Sequence, residues 1–181
     1  VRLMVDRIKN MVLNILYYAK ERDLQWEQTD VLSFANEIAS TVEPKLTESG
    51  VELVREFDAS LGDFEVDSSV LRSALINILE NAVDACTEDK TDKVHRIVFG
   101  VRQDSDSIFF DIRDNGPGMD QEIKENMFTL FFSSKGHKGT GLGLFISNQI
   151  VQQHGGSIDV ESTLGKGSQF RVTMPKRPVE T

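Results

Sequence analysis

Hydrophobic residues recur along this chain with two periods, one typical of helices and one typical of strands. Spacings of three and four residues predict helices over residues 1 to about 26, 30–50, 67–86 and 142–154. Thr29 or Asp30 is suited to cap the second helix and Asp67 the third, while Gly155 is a strong signal for the end of the fourth. The pattern therefore predicts four main helices.

Short apolar or alternating segments between these helices predict strands. They are residues 51–57, 64–66, 97–101, 108–112, 157–160 and 169–174. Turn residues at 103–106 and 165–167 would join two pairs of these strands as hairpins. This order predicts an α+β fold: a two-layer α/β sandwich, in which about three helices cover one face of a mixed, mostly antiparallel sheet.

The first predicted helix has an unusually wide apolar stripe, which other helices must cover. Its members are Val1, Met4, Val5, Ile8, Met11, Val12, Ile15, Tyr18 and Ala19. We interpret this helix as one arm of a helical bundle, although a helix lying on its own domain is an alternative. The predicted domains are residues 1–27, a bundle helix, and residues 28–181, a globular domain.

Composition narrows the class of protein. Of the residues, 39% are hydrophobic and 27% are charged, as in ordinary folded domains, and the net charge of −9 argues against nucleic acid as a partner. The single cysteine, Cys86, excludes an internal disulfide and is typical of a reducing compartment. We expect a cytoplasmic location, and leave open whether other regions of the full-length protein anchor it to a membrane.

Polar residues on the third predicted helix lie opposite its apolar face. Asn77, Glu80, Asn81 and Asp84 fall within a sector of about 100°. Such a face is most often a solvated surface. Oxygen-bearing side chains of this kind also suit a Mg²⁺ ion that is shared with phosphate groups.

Two glycine clusters suggest close approach of a ligand to the backbone. Asp114 follows a predicted strand and leads into Gly116 and Gly118; its carboxylate can accept a hydrogen bond from an exocyclic amine beside a planar base. The second cluster, Gly139–Gly143, precedes a predicted helix, whose free N–H groups suit phosphate. Between the clusters, Phe128, Phe131 and Phe132 are either core residues or anchors of a mobile lid with a basic tip at 133–138.

Five motifs, in this order, closely resemble those of the ATP-binding catalytic domain of sensor histidine kinases, in the superfamily shared with gyrase and the mismatch-repair ATPases. The motifs are Asn77–Ala82 (N box), Asp114–Gly118 (first glycine box), Phe128–Lys135 (phenylalanine box), Gly139–Gly143 (second glycine box) and Gly165–Ser168 (final glycine turn). The resemblance covers roughly residues 30–175. Residues 1–27 resemble the second helix of the dimerisation and phosphotransfer bundle, and we expect its first helix, with the phosphoacceptor histidine, to be missing from this fragment.

The resemblance implies ATP and Mg²⁺ as cofactors and a role for each motif. Asn77, Asn81 and Lys135 would be the catalytic residues, with Asn81 binding the metal. Asp114 would accept a hydrogen bond from the adenine amine, and Ser168 would help to close the adenine side. The implied nucleotide contacts are Asn77, Asn81, Asp114, Gly116, Gly118, Phe132, Lys135, Gly139, Thr140, Gly141, Leu142, Gly143 and Ser168.

Asn77 favours a kinase over a hydrolase. ATP-hydrolysing relatives place a glutamate four residues before the magnesium asparagine, but the amide of Asn77 cannot take a proton at neutral pH. The chain would then be a protein-histidine kinase that phosphorylates a histidine on a bundle helix, in its own full-length chain or in a dimer partner. The phosphate would pass to an aspartate of a response-regulator receiver domain, and the full-length protein would form a homodimer through the N-terminal helix.

Two alternatives remain open, and two residues depart from the family pattern. One alternative is a hydrolysing ATPase that uses nucleotide-driven dimer closure and Glu80. The other is a degenerate interaction module in which residues 1–26 are the working part. Asp84 stands where many family members carry a basic residue, and Leu130 replaces a common proline.

Overall fold

A computed structural model describes residues 23–132 and 140–178. In chain order its elements are β1 (Glu27–Asp30), α1 (Val31–Ser49), β2 (Glu52–Phe57), β3 (Asp63–Val66), α2 (Ser68–Glu88), β4 (Arg96–Gln103), β5 (Ser107–Asp114), α3 (Gln121–Asn126), α4 (Gly143–Gln153), β6 (Ser157–Thr163) and β7 (Gly167–Pro175).

The main sheet has five strands in the order β2-β4-β5-β7-β6. Only β2 and β4 pair in parallel, and α2 lies between them in the chain; the other neighbours are antiparallel. A separate antiparallel pair joins β1 to β3. Helices α1, α2 and α4 pack against this sheet, which confirms the predicted α+β sandwich with about three helices on a mixed, mostly antiparallel sheet.

The core lies between the helical layer and one face of the sheet. On α1 the buried residues recur at the spacings of three and four that predicted this helix, and they include Val31, Phe34, Ala35, Ile38, Ala39 and Val42. Strand β5 contributes Ile108, Phe110 and Ile112 at alternate positions, as expected for a strand with one buried face. Phe34, Phe64 and Phe110 form edge or tilted ring contacts at the centre of this core.

The opposite face of the sheet is polar. Asp111 on β5 accepts from Arg171 on β7 at 2.7 Å and from Arg102 on β4 at 3.2 Å, and Arg96 pairs with Glu52 across β4 and β2. A face covered by cross-strand ion pairs of this kind can stand in water, which explains why one helical layer is enough.

Helix ends follow the predicted caps. Asp30 accepts from the Ser33 N–H at 2.7 Å, and Asp67 accepts from the Val70 N–H at 3.4 Å. Gly50 ends α1 in the left-handed region, with φ of 66°, and its N–H returns to the carbonyls of the last turn. Helices α1 and α2 are therefore fixed at their first turns.

The structure differs from the sequence prediction in two short elements and one boundary. Strand β1 and helix α3 were not predicted, because four and six residues are too few to show an apolar period. Residues 23–26, placed at the end of the first predicted helix, are not helical. The remainder of that helix, residues 1–22, and the basic part of the predicted lid, residues 133–139, lie outside the described residues.

Candidate functional site

A cavity of about 360 Å³ lies between α2, the ends of β5 and β7, and the segments on either side of the lid. Its volume is in the range of small-molecule sites. The wall residues are Asn77, Asn81, Ala82, Asp84, Ala85, Glu88, Asp114, Pro117, Gly118, Met119, Ile123, Met127, Phe132, Thr140, Gly141, Gly143, Leu144, Ser168 and Phe170. Most motifs that the sequence singled out thus meet in one place.

Asp114 is the buried acid at one end of this cavity. It ends β5, and only 6% of its surface is exposed. Burial raises the pKa of its carboxyl group, an effect opposed by N–H donors from Gly116 and Ser168. The Gly116 N–H lies 2.8 Å from Asp114 Oδ1. A carboxyl group held this way faces the cavity as a hydrogen-bond acceptor of fixed orientation.

The first glycine box is locked against the β6–β7 hairpin by backbone contacts. A Cβ added to Gly118, with φ of +69°, would lie 2.1 Å from the Thr163 carbonyl oxygen. One added to Gly167, with φ of +107°, would lie 2.0 Å from the Asp114 carbonyl oxygen. The Gly165 N–H also donates to the Pro117 carbonyl at 2.6 Å. Glycine at these positions allows the first glycine box and the β6–β7 hairpin to approach each other closely, in addition to leaving room for a ligand.

Ser168 belongs to a hydroxyl network at the same end. Its Oγ lies 3.0 Å from Ser162 Oγ, which in turn accepts from the Met119 N–H at 2.8 Å. Ser162 also donates to the Gly167 carbonyl at 3.1 Å. The network ties the hairpin to the segment after the first glycine box, so this end of the cavity is built from mutually bonded parts.

The other end of the cavity is formed where α2 meets the start of α4. Asn77 Nδ2 donates to Ser147 Oγ at 3.0 Å, and that hydroxyl donates to the Ala74 carbonyl at 3.2 Å. Gly143 begins α4 so close that a Cβ there would lie 2.4 Å from Asn77 Oδ1. No side chain caps α4 at Leu142, which leaves its first N–H groups for another acceptor.

Helix α2 forms the wall that both ends share. Asn77 contacts Gly143 at one end, and the Ala85 backbone lies within 3.4 Å of the Cβ position of Gly116 at the other. Ala85 comes eight residues after Asn77, and a helix rises 1.5 Å per residue, so the two ends are separated by about 12 Å along the axis. Asn81 lies between them.

The structure brings together nine of the thirteen predicted contact residues in the cavity wall. These are Asn77, Asn81, Asp114, Gly118, Phe132, Thr140, Gly141, Gly143 and Ser168. Gly116 lies behind Asp114, against the Ala85 backbone, and Leu142 is buried with 2% exposure, so neither is a wall residue. Lys135 and Gly139 lie outside the described residues.

The cavity wall also has an apolar part that the sequence motifs did not predict. Met119, Ile123, Met127, Leu144 and Phe170 also line the cavity. Helix α3 carries Ile123, and Asp120 caps that helix by accepting the Ile123 N–H at 2.8 Å. The Asp at position 120, followed by helix-forming residues, was the available signal for α3.

Two buried titratable residues, Cys86 and His154, are not part of the cavity wall. Burial raises the pKa of the Cys86 thiol to about 12, so this cysteine stays protonated. His154 is buried at the end of α4, where its Nε2 accepts from the Asp67 N–H at 3.2 Å and its Nδ1 lies 2.7 Å from the Ile150 carbonyl. His154 therefore connects the end of α4 to the start of α2.

Comparison with known families identifies the architecture. The sequence profile described as histidine kinase-, DNA gyrase B-, and HSP90-like ATPase matches residues 66–178, which hold α2, the cavity and the β6–β7 hairpin. The chain belongs to this family. The resemblance stated from the motifs is confirmed.

Several of the relatives and solved structures that resemble this chain are named histidine kinases. The signal transduction histidine-protein kinase AtoS of Escherichia coli (strain K12) is 30% identical over 174 residues, which are 96% of this chain and 28% of AtoS. The catalytic domain of the histidine kinase ThkA, in a nucleotide-free form, is 27% identical with a TM-score of 0.74 over 85% of this chain and 99% of that one. ThkA in complex with the response regulator protein TrrA is 26% identical with a TM-score of 0.80 over 98% and 49%.

Proposed function

We propose that this chain is the ATP-binding catalytic region of a two-component sensor histidine kinase. It would transfer the γ-phosphate of ATP to a histidine on a bundle helix, for relay to an aspartate of a response-regulator receiver domain. The single observation that carries the proposal is the cavity whose two ends, at Asp114 and at Asn77 with Gly143, share α2 as one wall. The family and the histidine kinases that resemble this chain support it.

Asp114 would bind the adenine. Its carboxylate is oriented by the Gly116 N–H and is screened from water, so it can accept a hydrogen bond from the exocyclic amine. Gly118 lines the cavity beside it, and Ser168 would close the same side. Met119, Ile123 and Phe170 supply apolar surface on which a flat base can pack.

Asn81, Asn77 and the start of α4 would bind the Mg-triphosphate. Phosphate oxygens suit the N–H groups at the uncapped start of α4, and Thr140, Gly141 and Gly143 line the cavity there. We extend the same role to Lys135 and Gly139 from the motif. Among the described residues no three His, Cys, Asp or Glu are grouped to hold a metal. An amide oxygen from Asn81 together with phosphate oxygens fits Mg²⁺, which would neutralise phosphate charge.

Carboxylate positions favour phosphotransfer over hydrolysis. The acids in the described cavity wall are Asp84, Glu88 and Asp114, all towards the adenine end of α2. Glu80, which a hydrolysing mechanism would use, is not a wall residue, and the lid sequence 133–139 contains no acid. Because Asn77 is an amide bonded to Ser147, the described part of the wall holds no carboxylate beside Asn77 that could activate water.

The wider assembly follows from the same proposal. Residues 1–27 would be the second helix of a dimerisation and phosphotransfer bundle, residues 28–181 the catalytic domain, and the full-length protein a homodimer acting in the cytoplasm. The complex of ThkA with a response regulator supports a receiver domain as the partner. Among the described residues no helix is long and apolar enough to cross a membrane.

Phosphotransfer to a separate acceptor tests this function. The chain is mixed with labelled Mg-ATP and a two-helix bundle that contains a histidine followed by an acid. We expect an acid-labile, alkali-stable phosphoprotein, lost when the acceptor histidine is changed to glutamine and when Asn81→Ala is used. Tight ATP binding with no transfer would contradict the kinase.

The same samples distinguish the two alternatives. A hydrolysing ATPase predicts steady phosphate release that Glu80→Gln abolishes, whereas a kinase predicts release near background with either residue at position 80. A ligand that binds only the folded state must raise the melting temperature. A degenerate interaction module, which would not bind Mg-ATP, therefore predicts no rise when Mg-ATP is added.

A further inference from the structure

An ion pair between α1 and α2 stands at the wall of the cavity. Lys45 Nζ on α1 lies 2.7 Å from Asp84 Oδ1 on α2, with 36% and 37% of the two side chains exposed. Asp84 is a wall residue and Lys45 is not. A pair this exposed contributes only about 0–1 kcal/mol to stability. The stability contributed by this pair alone therefore gives little reason for a carboxylate at this place in an anion-binding cavity.

The position of Asp84 along α2 indicates which part of a nucleotide it faces. Asn77 marks the phosphate end and Ala85 the base end, as their contacts with Gly143 and Gly116 show. With a rise of 1.5 Å per residue, Asn81 lies about 6 Å and Asp84 about 10.5 Å along the axis from Asn77. In a nucleotide the sugar connects base and phosphates. A wall residue just short of the base end is therefore level with the sugar.

A carboxylate suits sugar hydroxyl groups chemically. Hydroxyl groups donate to ionised acids, and dinucleotide-binding folds use an Asp or Glu on the ribose 2′-hydroxyl in this way. A carboxylate offers about four acceptor sites, so the bond to Lys45 does not by itself exhaust Asp84. Lys45 also offsets the negative charge that Asp84 would otherwise place near the phosphates.

We infer that Asp84, positioned by Lys45, accepts a hydrogen bond from a ribose hydroxyl of the bound nucleotide and selects ribonucleotides over deoxyribonucleotides. The inference rests on the proposed nucleotide-binding function. It makes Asp84 a specificity residue and Lys45 a positioning residue.

Affinities for ATP, 2′-deoxy-ATP and 3′-deoxy-ATP, measured by calorimetry with magnesium chloride, test this inference. The unmodified chain should bind ATP about tenfold more tightly than at least one deoxy analogue. Asp84→Ala should reduce that ratio to about one, and Asp84→Asn, which keeps a neutral acceptor, should leave an intermediate ratio. All three ligands carry the same triphosphate, so the ratio does not respond to a change in the charge of the pocket.

Lys45 and a matched ion pair provide the controls. Lys45→Met should lower the ratio partly and Lys45→Arg should restore it. Glu37→Gln removes a carboxylate from another α1–α2 pair, in which Arg72 Nη2 lies 2.7 Å from Glu37 Oε2 away from the cavity wall, and should leave the ratio unchanged.

Two outcomes would overturn the inference alone. One is equal affinity of the unmodified chain for the three nucleotides, and the other is a ratio that Asp84→Ala leaves intact while lowering all three affinities. Failure of the unmodified chain to bind any of them would remove the proposed function and this inference together.

Discussion

The two ends of the cavity are built differently, although α2 forms a wall of both. At the proposed adenine end, Asp114 is buried and the two glycine turns lock together through backbone contacts and a hydroxyl network. At the phosphate end, Thr140 is exposed, Phe131 is 55% exposed with φ of 66°, and α4 starts without a side-chain cap.

This difference suggests that the two ends contribute to ligand binding in different ways. The adenine end is preorganised, so a ligand there meets a fixed acceptor at little cost in conformational entropy. The proposed phosphate end is open at the surface, where in the proposed reaction a γ-phosphate would have to reach an acceptor on another element. The predictions below test this contrast, beginning with the largest expected effect.

Gly167→Ala should be the most damaging of these changes. The new Cβ would meet the Asp114 carbonyl at 2.0 Å in a left-handed conformation, so we expect a loss of about 3 kcal/mol in the free energy of unfolding. Gly165→Ala in the same turn, with φ of +77° and no atom within 4 Å, should cost only about 1 kcal/mol. Urea unfolding of both variants measures the difference. Equal losses would mean that the two glycine turns are not locked together.

Asp114→Asn should separate binding from stability. The amide can still accept from the Gly116 N–H but presents a weaker acceptor, so ATP affinity should fall roughly tenfold to a hundredfold. Burial raises the pKa of Asp114, so the folded state holds its proton at pH values where the unfolded state has lost it. The contribution of Asp114 to the free energy of unfolding is therefore fully present below a pH of about 3.8. It is lost as the pH rises through the pKa that Asp114 has in the folded state.

In the absence of nucleotide, the Asp114→Asn protein should accordingly be no less stable than the unmodified chain at pH 7. Its free energy of unfolding should also lack the decrease with rising pH that Asp114 causes. Calorimetric titration with ATP and urea unfolding between pH 4 and pH 8 provide the measurements. A variant that binds ATP normally would remove Asp114 from the adenine site.

Much of the fold and part of the site could be predicted from the sequence. The apolar faces of α1 and α2 were predictable because burial imposes a period on long elements. The caps at Asp30 and Asp67 and most of the elements along the chain could be predicted as well. The glycine boxes and Asp114 were recognisable because few residue types satisfy such a backbone. All of these signals are local or repeat along the chain.

The rest depended on contacts between distant residues. Sequence spacing could not show that Gly118 meets Thr163, or that Asn77 bonds Ser147 seventy positions later. The apolar wall also went unpredicted, because α3 is only six residues long and Met119 and Phe170 come from different elements.

Ser147→Ala should have a moderate effect at the phosphate end. The hydroxyl is 1% exposed, accepts from Asn77 and donates to Ala74, so its loss should cost about 1–2 kcal/mol in the free energy of unfolding. Ser73→Ala, which removes an exposed hydroxyl 3.3 Å from the Ser69 carbonyl, should change it by less than about 0.5 kcal/mol. Thermal unfolding compares them, and equal effects would deny that Ser147 joins α2 to α4.

His154→Gln should give the smallest effect, a change in pH dependence. Burial lowers the pKa of His154 below 6.5, so the unfolded state binds its proton first and stability is lost as pH falls from 6.5 through the folded pKa. The neighbouring Asp67 carboxylate opposes this shift only partly. Glutamine can replace the acceptor for the Asp67 N–H without titrating. The urea concentration at the midpoint of unfolding, measured between pH 5 and pH 8, should change less with pH in the variant than in the unmodified chain. The same pH dependence in both proteins would contradict a buried neutral imidazole.

The central claim, one cavity with an adenine end and a phosphate end, is tested most directly by comparing adenosine with Mg-ATP. Their affinities are measured by calorimetry for the unmodified chain, Asp114→Asn and Asn81→Ala. We predict that Asp114→Asn weakens both ligands by a similar factor, whereas Asn81→Ala weakens Mg-ATP and leaves adenosine unchanged. Loss of adenosine binding in Asn81→Ala, or normal adenosine binding in Asp114→Asn, would contradict the assignment of the two ends.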